Sequence, residues 1–466
     1  MSGLFGCIDC SDKATDVAKT AYYGVFSLQH RGQESAGIAV NNHGTFMVHK
    51  QPGHVADTFD DVVLSTLQGN CAVATAKTAK SSETGSDALQ PTLIKSRAGN
   101  VALSSCSVIL NEKEMRDKLT DMGALFQSNT DSELILSLLS RNAVKTDTVE
   151  EAIMETIKEI KGVYSLIFMT EDKLIGVRDP YGMRPLVLGH KDNMWMLSSE
   201  SCALDALDAE FVRDIEPGEI ISISKDNIVS TYFDSSVSSE ERVKNGQVCI
   251  FEYVYVARPD SVIDGSSIYE SRVMTGAALA KEHPCDCDLV ISAPDSGNAA
   301  ALGYANAIGI PYGMGLLKNR YVGRTFIQGT QGERELAVRM KFSVLKSAVA
   351  GKRICIVDDS LVRGTTTKYI INFLRESGAK EVHLRLASPE VKFPCCYGVN
   401  ASKGSELPAR TMTDEEICKM IGADSLGYVS LDALKASLKG IHCGVCSACF
   451  DGNFVAGCCD GNCPNK

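Results

Sequence analysis

The sequence predicts an α/β protein: an α+β first half of many short strands, then a second half built on a parallel sheet. Three observations predict it. Short alternating apolar runs separated by turn residues fill the first half. In the second half, "DLVISAPDSGNAAALGYANAIGIP" and "KRICIVDDSLVRGTTTKYIINFLRESGAKEVHLRLAS" each read strand, loop, helix. That is the βα plan of a parallel sheet. Between the halves, the polar stretch Asp234–Gln247 breaks the pattern and reads as a linker.

Each element has its own warrant. "GVYSLIFMTEDKLIGVRD" predicts two strands joined by a turn at Glu171–Asp172. "MWMLSSES" and "EIISISKDNIVSTYF" continue the β pattern, and helices are expected around Asp16–Leu28, Asp131–Ser140 and Val149–Lys161. Gly309 and Gly378 stand where two later helices should stop, and Val382–Leu386 should be a strand. From Lys439 the chain is rich in Cys and Gly and loses periodicity.

Composition narrows the class. A length of 466 residues allows two to four domains. A net charge of -11 argues against broad nucleic-acid binding. No apolar run approaches the roughly 18 residues of a membrane span, and the N-terminus lacks the pattern of a secretory signal. A cytoplasmic location is expected. Eighteen cysteines are many for such a chain, which points to thiols, a metal or a cluster rather than disulfides. Cys202 and Cys355 sit in apolar patterns and read as core.

The sharpest stretch is "ICIVDDSLVRGTTT". An apolar strand ends in Asp358 and Asp359, and a loop through Ser360, Arg363 and Gly364 leads to Thr365, Thr366 and Thr367 at a helix start. The free N–H groups and positive dipole of a helix N-terminus suit a phosphate. Two adjacent carboxylates suit vicinal ribose hydroxyls or Mg2+. The Gly-Lys-Ser/Thr ending of a Walker loop is absent. The pattern matches the loop of phosphoribosyltransferases. "APDSG" (Ala293–Gly297) also joins a strand to a helix; it reads either as a pyrophosphate loop through Asp295, Ser296 and Gly297 or as a simple helix cap. The stretch from Lys318 to Phe342 gathers Lys318, Arg320, Arg324, Arg334, Arg339 and Lys341 around glycines, a basic loop suited to close over a polyanion.

These stretches, with "CIFEYVYVARPDSVIDG", "GADSLGYVSL" and "VRDPYGMRPLVLG", closely resemble the amidophosphoribosyltransferase family across nearly the whole chain. The resemblance implies an N-terminal nucleophile hydrolase-like four-layer αββα glutaminase domain at 1–240, a type I phosphoribosyltransferase domain at 241–438, and a Cys-rich tail at 439–466. It implies formation of phosphoribosylamine, the first step of purine synthesis. Phosphoribosyl pyrophosphate would bind at Asp295, Ser296, Gly297, Lys318, Arg320, Tyr321, Lys341, Asp358, Asp359, Ser360, Arg363, Gly364, Thr365 and Thr366. Mg2+ would sit at Ser296, Asp358 and Asp359.

The glutaminase half departs from the family. Ser2 opens "SGLFG" where the family has its nucleophilic Cys, and Cys7 is out of register. Ser is a weaker nucleophile than a thiolate-forming Cys. The family's "GHVRYST" becomes "AVATAKT", which puts Thr75 in place of the Arg that clamps the glutamine carboxylate. Its "HNGNL" becomes "SCSVI", which puts Cys106 and Ser107 in place of the oxyanion pair. Losing one oxyanion donor costs about 3 kcal/mol or more. Asp131 still matches the contact to the glutamine amine, and the intact "LQHRGQESAG" reads as fold maintenance. The expectation is an inactive glutaminase; the alternative is a repurposed pocket with Cys106 as nucleophile.

Some family members hold a [4Fe-4S] cluster, and Cys249, Cys395, Cys446 and Cys449 match its ligands. Zinc remains an alternative for four thiolates, as does no ligand, and Cys396 competes with Cys395. Cys443, Cys458, Cys459 and Cys463 exceed the pattern, either as a reduced tail or as a second metal site. Gly329 replaces the family's usual Pro. The leading expectation is a phosphoribosyltransferase that uses free ammonia, or ammonia from a partner protein, and assembles as a homodimer or homotetramer. The alternatives are a silent paralogue that regulates an active homologue in mixed oligomers, or an enzyme with another amine acceptor.

Overall fold

The computed structural model describes residues 2–11, 16–78, 88–97, 99–319, 321, 336, 338–399 and 404–457. Arg320, Arg324, Gly329, Arg334, Cys458, Cys459 and Cys463 lie outside the described residues.

Two sheets build the first half. One has seven strands in the order Glu210–Asp214, Val187–Lys191, Met194–Ser198, Ser2–Asp9, Cys71–Lys77, Ser35–Asn42 and Thr45–Pro52. The other has six, in the order Ile228–Tyr232, Glu219–Ser224, Lys173–Arg178, Gly162–Met169, Gly99–Ile109 and Thr92–Ser96. Leu4, Ile8, Val73, Ile167, Leu174 and Ile221 pack between the sheets. Helix Val17–Ser27 covers the first sheet through Val17, Ala21 and Val25. Helices Asp131–Asn142 and Val149–Glu159 cover the second through Leu134, Leu138, Ile153 and Ile157. Helix, sheet, sheet and helix make the expected four layers.

The expected helices are present and shift by a residue or two at their ends. Asp16 caps the first by accepting from the Lys19 N–H. Thr148 and Glu151 close a capping box on the third. The two strands expected around Glu171–Asp172 pair in antiparallel register, Met169 opposite Leu174.

The second half carries a four-stranded parallel sheet in the order Leu289–Ser292, Arg353–Asp358, Glu381–Leu386 and Ser425–Tyr428. Ile354, Ile356, Ile370 and Leu374 pack on one face, while Val290, Ala301, Cys355 and Val357 pack on the other. Gly309 ends helix Asn298–Ile308 at φ 71°, and Gly378 follows helix Thr365–Glu376 at φ 94°.

The polar stretch Asp234–Gln247 is more ordered than a linker: residues Ser239–Asn245 form a helix. Ser238 caps it by accepting from the Glu241 N–H, and basic Arg242 and Lys244 occupy its last turn. The following strand, Gln247–Cys249, runs parallel to Gly444–Cys446, so the tail returns to the start of the second half.

Buried ion pairs join the halves. Arg31 of "LQHRGQESAG" bonds Glu252 through Nη2 at 2.8 Å and Glu200 through Nη1 at 2.5 Å. Burial pushes the Glu200 carboxyl up, but the Arg31 and His30 charges more than reverse that and hold it well below the usual carboxylate range. Arg178 grips both Asp264 oxygens at 2.8 and 2.7 Å, a bidentate pair.

Candidate functional site

Strand Arg353–Asp358 delivers the two acids at the C-terminal edge of the parallel sheet, where open α/β sheets place their ligands. The Asp359 N–H donates to the Asp358 carboxylate at 2.8 Å. Ser360 Oγ donates to Asp359 Oδ1 at 2.5 Å, and Ser296 Oγ donates to Asp359 Oδ2. The two loops identified in the sequence therefore meet at one carboxylate. Burial first, then the neighbouring Asp359 charge, pushes the Asp358 carboxyl up; burial also raises Asp359.

Glycines let the backbone approach. A Cβ on Gly297 would lie 2.6 Å from the Val357 carbonyl oxygen, and Gly364 enters helix Thr365–Glu376 at φ 74°. Thr365 and Thr366 are exposed at that helix start, while Thr367 is buried. Lys318 bonds Asp295 at 2.8 Å, and exposed Arg363 bonds Glu406 at 2.7 Å. Strands Leu316–Lys318 and Phe342–Val344 pair, and Asn319 N donates to Lys341 O at 2.8 Å. They clamp both ends of the basic loop. Lys341 sits 5.4 Å from the Phe342 ring centroid, and Tyr321 is 98% exposed.

Sequence reasoning missed Arg272. It is buried on helix Ile268–Glu282 and lines a cavity with Ser296 and Asp359. Its guanidinium donates to the carbonyls of Tyr253 at 2.7 Å and Ala257 at 2.9 Å, and its charge acts on Asp359. A lone Arg in a helix carries no local signal of this.

A second cavity, about 50 Å3, is lined by the first half together with Gly398 of the second. Ser2, Cys106, Ser107 and Asp131 line it with Lys77, Gln90, Ser105, Ser132 and Arg184. Thr75 does not; its strand turns it toward Gln90, Oγ1 to Oε1 at 3.5 Å. The Ser2 nitrogen donates to Cys106 Sγ at 3.4 Å. Gln90 fills the place opposite: its amide donates to Ser105 Oγ at 3.0 Å and Ser132 Oγ at 2.8 Å, and its Oε1 accepts from the Ser105 N–H at 2.8 Å. Lys77 donates to the Ala88 carbonyl at 3.0 Å. No histidine lines this cavity among the described residues.

Cys249, Cys395, Cys446 and Cys449 line one cavity with Phe251, Val391 and Tyr397. Register pairing sets Cys249 beside Cys446, and the Tyr397 N–H donates to Cys395 Sγ at 3.3 Å. Cys396 is not in this lining. Arg184 reaches from the first half to donate to the Tyr397 carbonyl. No three of these four sulfurs lie within 4.8 Å of one another. None of the four is in a disulfide.

Residues 70–206 match the family described as a glutamine amidotransferase domain. The amidophosphoribosyltransferase of Methanocaldococcus jannaschii is 46% identical over 462 residues, covering 97% of both chains. That of Bacillus subtilis is 39% identical over 447 residues, covering 94% of this chain and 91% of its own. The solved glutamine phosphoribosylpyrophosphate amidotransferase of B. subtilis, complexed with ADP and GMP, superposes with a TM-score of 0.88 at 38% identity, covering 97% of each chain. A structure described as the allosteric regulatory enzyme of purine biosynthesis gives 0.90 at 37%, covering 99% of this chain and 97% of its own. With this identity running through both halves, the chain belongs to the amidophosphoribosyltransferase family.

Proposed function

We propose that this chain makes phosphoribosylamine from phosphoribosyl pyrophosphate and ammonia, and that its glutaminase-like half no longer hydrolyses glutamine. The observation that carries the reading is the contrast between its two cavities. Around Asp359 the two loops expected to hold the substrate converge with their glycines and hydroxyls in place. Around Ser2, the family's nucleophile, clamp and oxyanion residues are absent by resemblance, and Gln90, Ser105 and Ser132 bond one another along the cavity wall.

In this account Asp358 and Asp359 bind the ribose hydroxyls, the Ser360–Thr367 loop binds the 5'-phosphate, and the Asp295–Gly297 loop with Lys318 binds the pyrophosphate. The ammonia nitrogen attacks the anomeric carbon, the carbon–oxygen bond to pyrophosphate breaks, and the nitrogen loses a proton. No protein nucleophile takes part. The protein positions the reactants and stabilises the leaving charge. Two adjacent acids with raised pKa fit a cation, and Mg2+ held by Asp358, Asp359 and Ser296 would supply charge neutralisation.

The four cysteines line one cavity, and four thiolates are the ligand set of a [4Fe-4S] cluster. Tetrahedral zinc with bonds of about 2.3 Å puts its sulfurs only about 3.8 Å apart; these sulfurs are spread more widely. Cys249, Cys395, Cys446 and Cys449 would hold a [4Fe-4S] cluster that ties the tail to the transferase half. A homo-oligomer is the expected assembly, with 1–240 as a docking or structural unit. Pyrophosphate release measured with ammonium, with glutamine and with neither tests the reading. Turnover with ammonium alone supports it; equal turnover with glutamine and matching glutamate release overturns it.

A further inference from the structure

Away from both cavities, three thiols meet. Cys285 and Cys287 lie between helix Ile268–Glu282 and strand Leu289–Ser292, and Cys355 lies in strand Arg353–Asp358. Their sulfurs all lie within 4.8 Å of one another, and none is in a disulfide. Cys355 and Cys287 are buried, while Cys285 is half-buried and opens the group to solvent. The spread suits one ion. Sulfurs around zinc stand about 3.8 Å apart, so small side-chain rotations complete the geometry. The four tail-linked cysteines do not reach this spacing.

The surroundings supply the charge that three thiolates need. Arg385 is 5% exposed. It donates to the carbonyls of His283 at 2.8 Å, Leu384 at 2.9 Å and Pro284 at 3.3 Å, and to Ser425 Oγ at 3.1 Å. All four acceptors are neutral, and among the described residues no carboxylate pairs with it. A buried cation is costly without an anion. Its charge acts on all three sulfurs. His383 stands opposite Cys355 in the parallel register, on the same face of the sheet. Its Nδ1 meets Ser425 Oγ at 2.9 Å and its Nε2 meets the Glu381 carboxylate at 3.1 Å.

We propose that Cys285, Cys287 and Cys355 form a second metal site, a three-thiolate site for a single thiophilic cation of the zinc class, charge-balanced by Arg385. Its fourth position is open to solvent beside the half-buried Cys285. Binding there ties the 283–288 segment to the central strand that carries Asp358. The metal is structural: it joins no reaction step.

The test uses the whole chain, reduced and anaerobic, with its iron restored, then exposed to zinc chloride and desalted. The expected result is one zinc per chain in addition to the iron. Cys285→Ser should lose that zinc and keep the iron; it is the variant of choice because the thiol is half-exposed and packing scarcely depends on it. Cys446→Ser should lose the iron and keep the zinc. Cobalt in place of zinc should give a sulfur-to-metal charge-transfer band that Cys285→Ser weakens. No zinc retained by the wild type overturns the proposal. So does zinc that Cys446→Ser removes and Cys285→Ser leaves, or a Cys285–Cys287 disulfide that persists under reducing conditions.

Discussion

The Ser2 nitrogen lies 3.4 Å from the Cys106 sulfur, in a cavity where Gln90 bonds Ser105 and Ser132. The family nucleophile and its oxyanion donor stand at these two positions by resemblance. Here the pair is a serine and a thiol that bond each other. Ser2→Cys alone should therefore release no glutamate from glutamine above background, because the oxyanion pair and the carboxylate clamp remain absent. A coupled glutamate assay checks this. Glutamate release by Ser2→Cys at the rate of ammonia-driven turnover would contradict it.

Asp359 accepts from Ser296 and Ser360 at the meeting of two loops. Asp359→Asn is nearly isosteric, so the melting temperature should stay close to wild type. Turnover should drop about 100-fold or more, as when other transition-state electrostatic groups are removed. Circular dichroism and pyrophosphate release on one preparation check both halves. Unchanged turnover would mean the ribosyl site lies elsewhere.

Asp358 gives a stability prediction with a sign. Burial and Asp359 raise its folded pKa above the unfolded value of about 3.9. The folded state then holds its proton longer, so stability is lost as pH rises through the folded pKa. Without ligand, Asp358→Asn should melt higher than wild type at pH 7, and the gap should close as the pH falls to about 4. Added Mg2+ should narrow the gap by stabilising only the wild type. Thermal melts at several pH values read this directly.

Arg31 is buried between Glu200 and Glu252. Arg31→Met leaves two carboxylates without their cation and should cost about 3–5 kcal/mol. Arg31→Met with Glu252→Gln should recover part of that loss, because one stranded charge is removed. Denaturant titration of the four members of the cycle measures the coupling. Additive losses would show that the pair does not hold the halves together.

The proposed ribosyl site was legible because it is local. A strand end, two acids, a glycine and a helix start occupy consecutive positions, so Asp358 to Thr367 announce themselves. The short helix at Ser239–Asn245 was legible too, through Ser238 and Glu241 three residues on, yet the polar composition read as linker. Arg272, Gln90 and the group Cys285, Cys287, Cys355 were not legible as sites. Their roles arise from contacts between distant segments, and an Arg on a helix or a Cys in an apolar strand reads as ordinary packing. The four cysteines proposed to hold a cluster were found only through resemblance, since Cys249 and Cys446 become neighbours by a strand pairing that spacing does not reveal.

The central claim is that nitrogen reaches the ribose as ammonia and never as glutamine hydrolysed by this chain. The direct measurement is pyrophosphate and glutamate release, side by side, from one purified protein given phosphoribosyl pyrophosphate and Mg2+ with either ammonium or glutamine. The account predicts pyrophosphate release with ammonium that rises with pH as unprotonated ammonia increases, and neither product above background with glutamine. Stoichiometric glutamate and pyrophosphate from glutamine would contradict it.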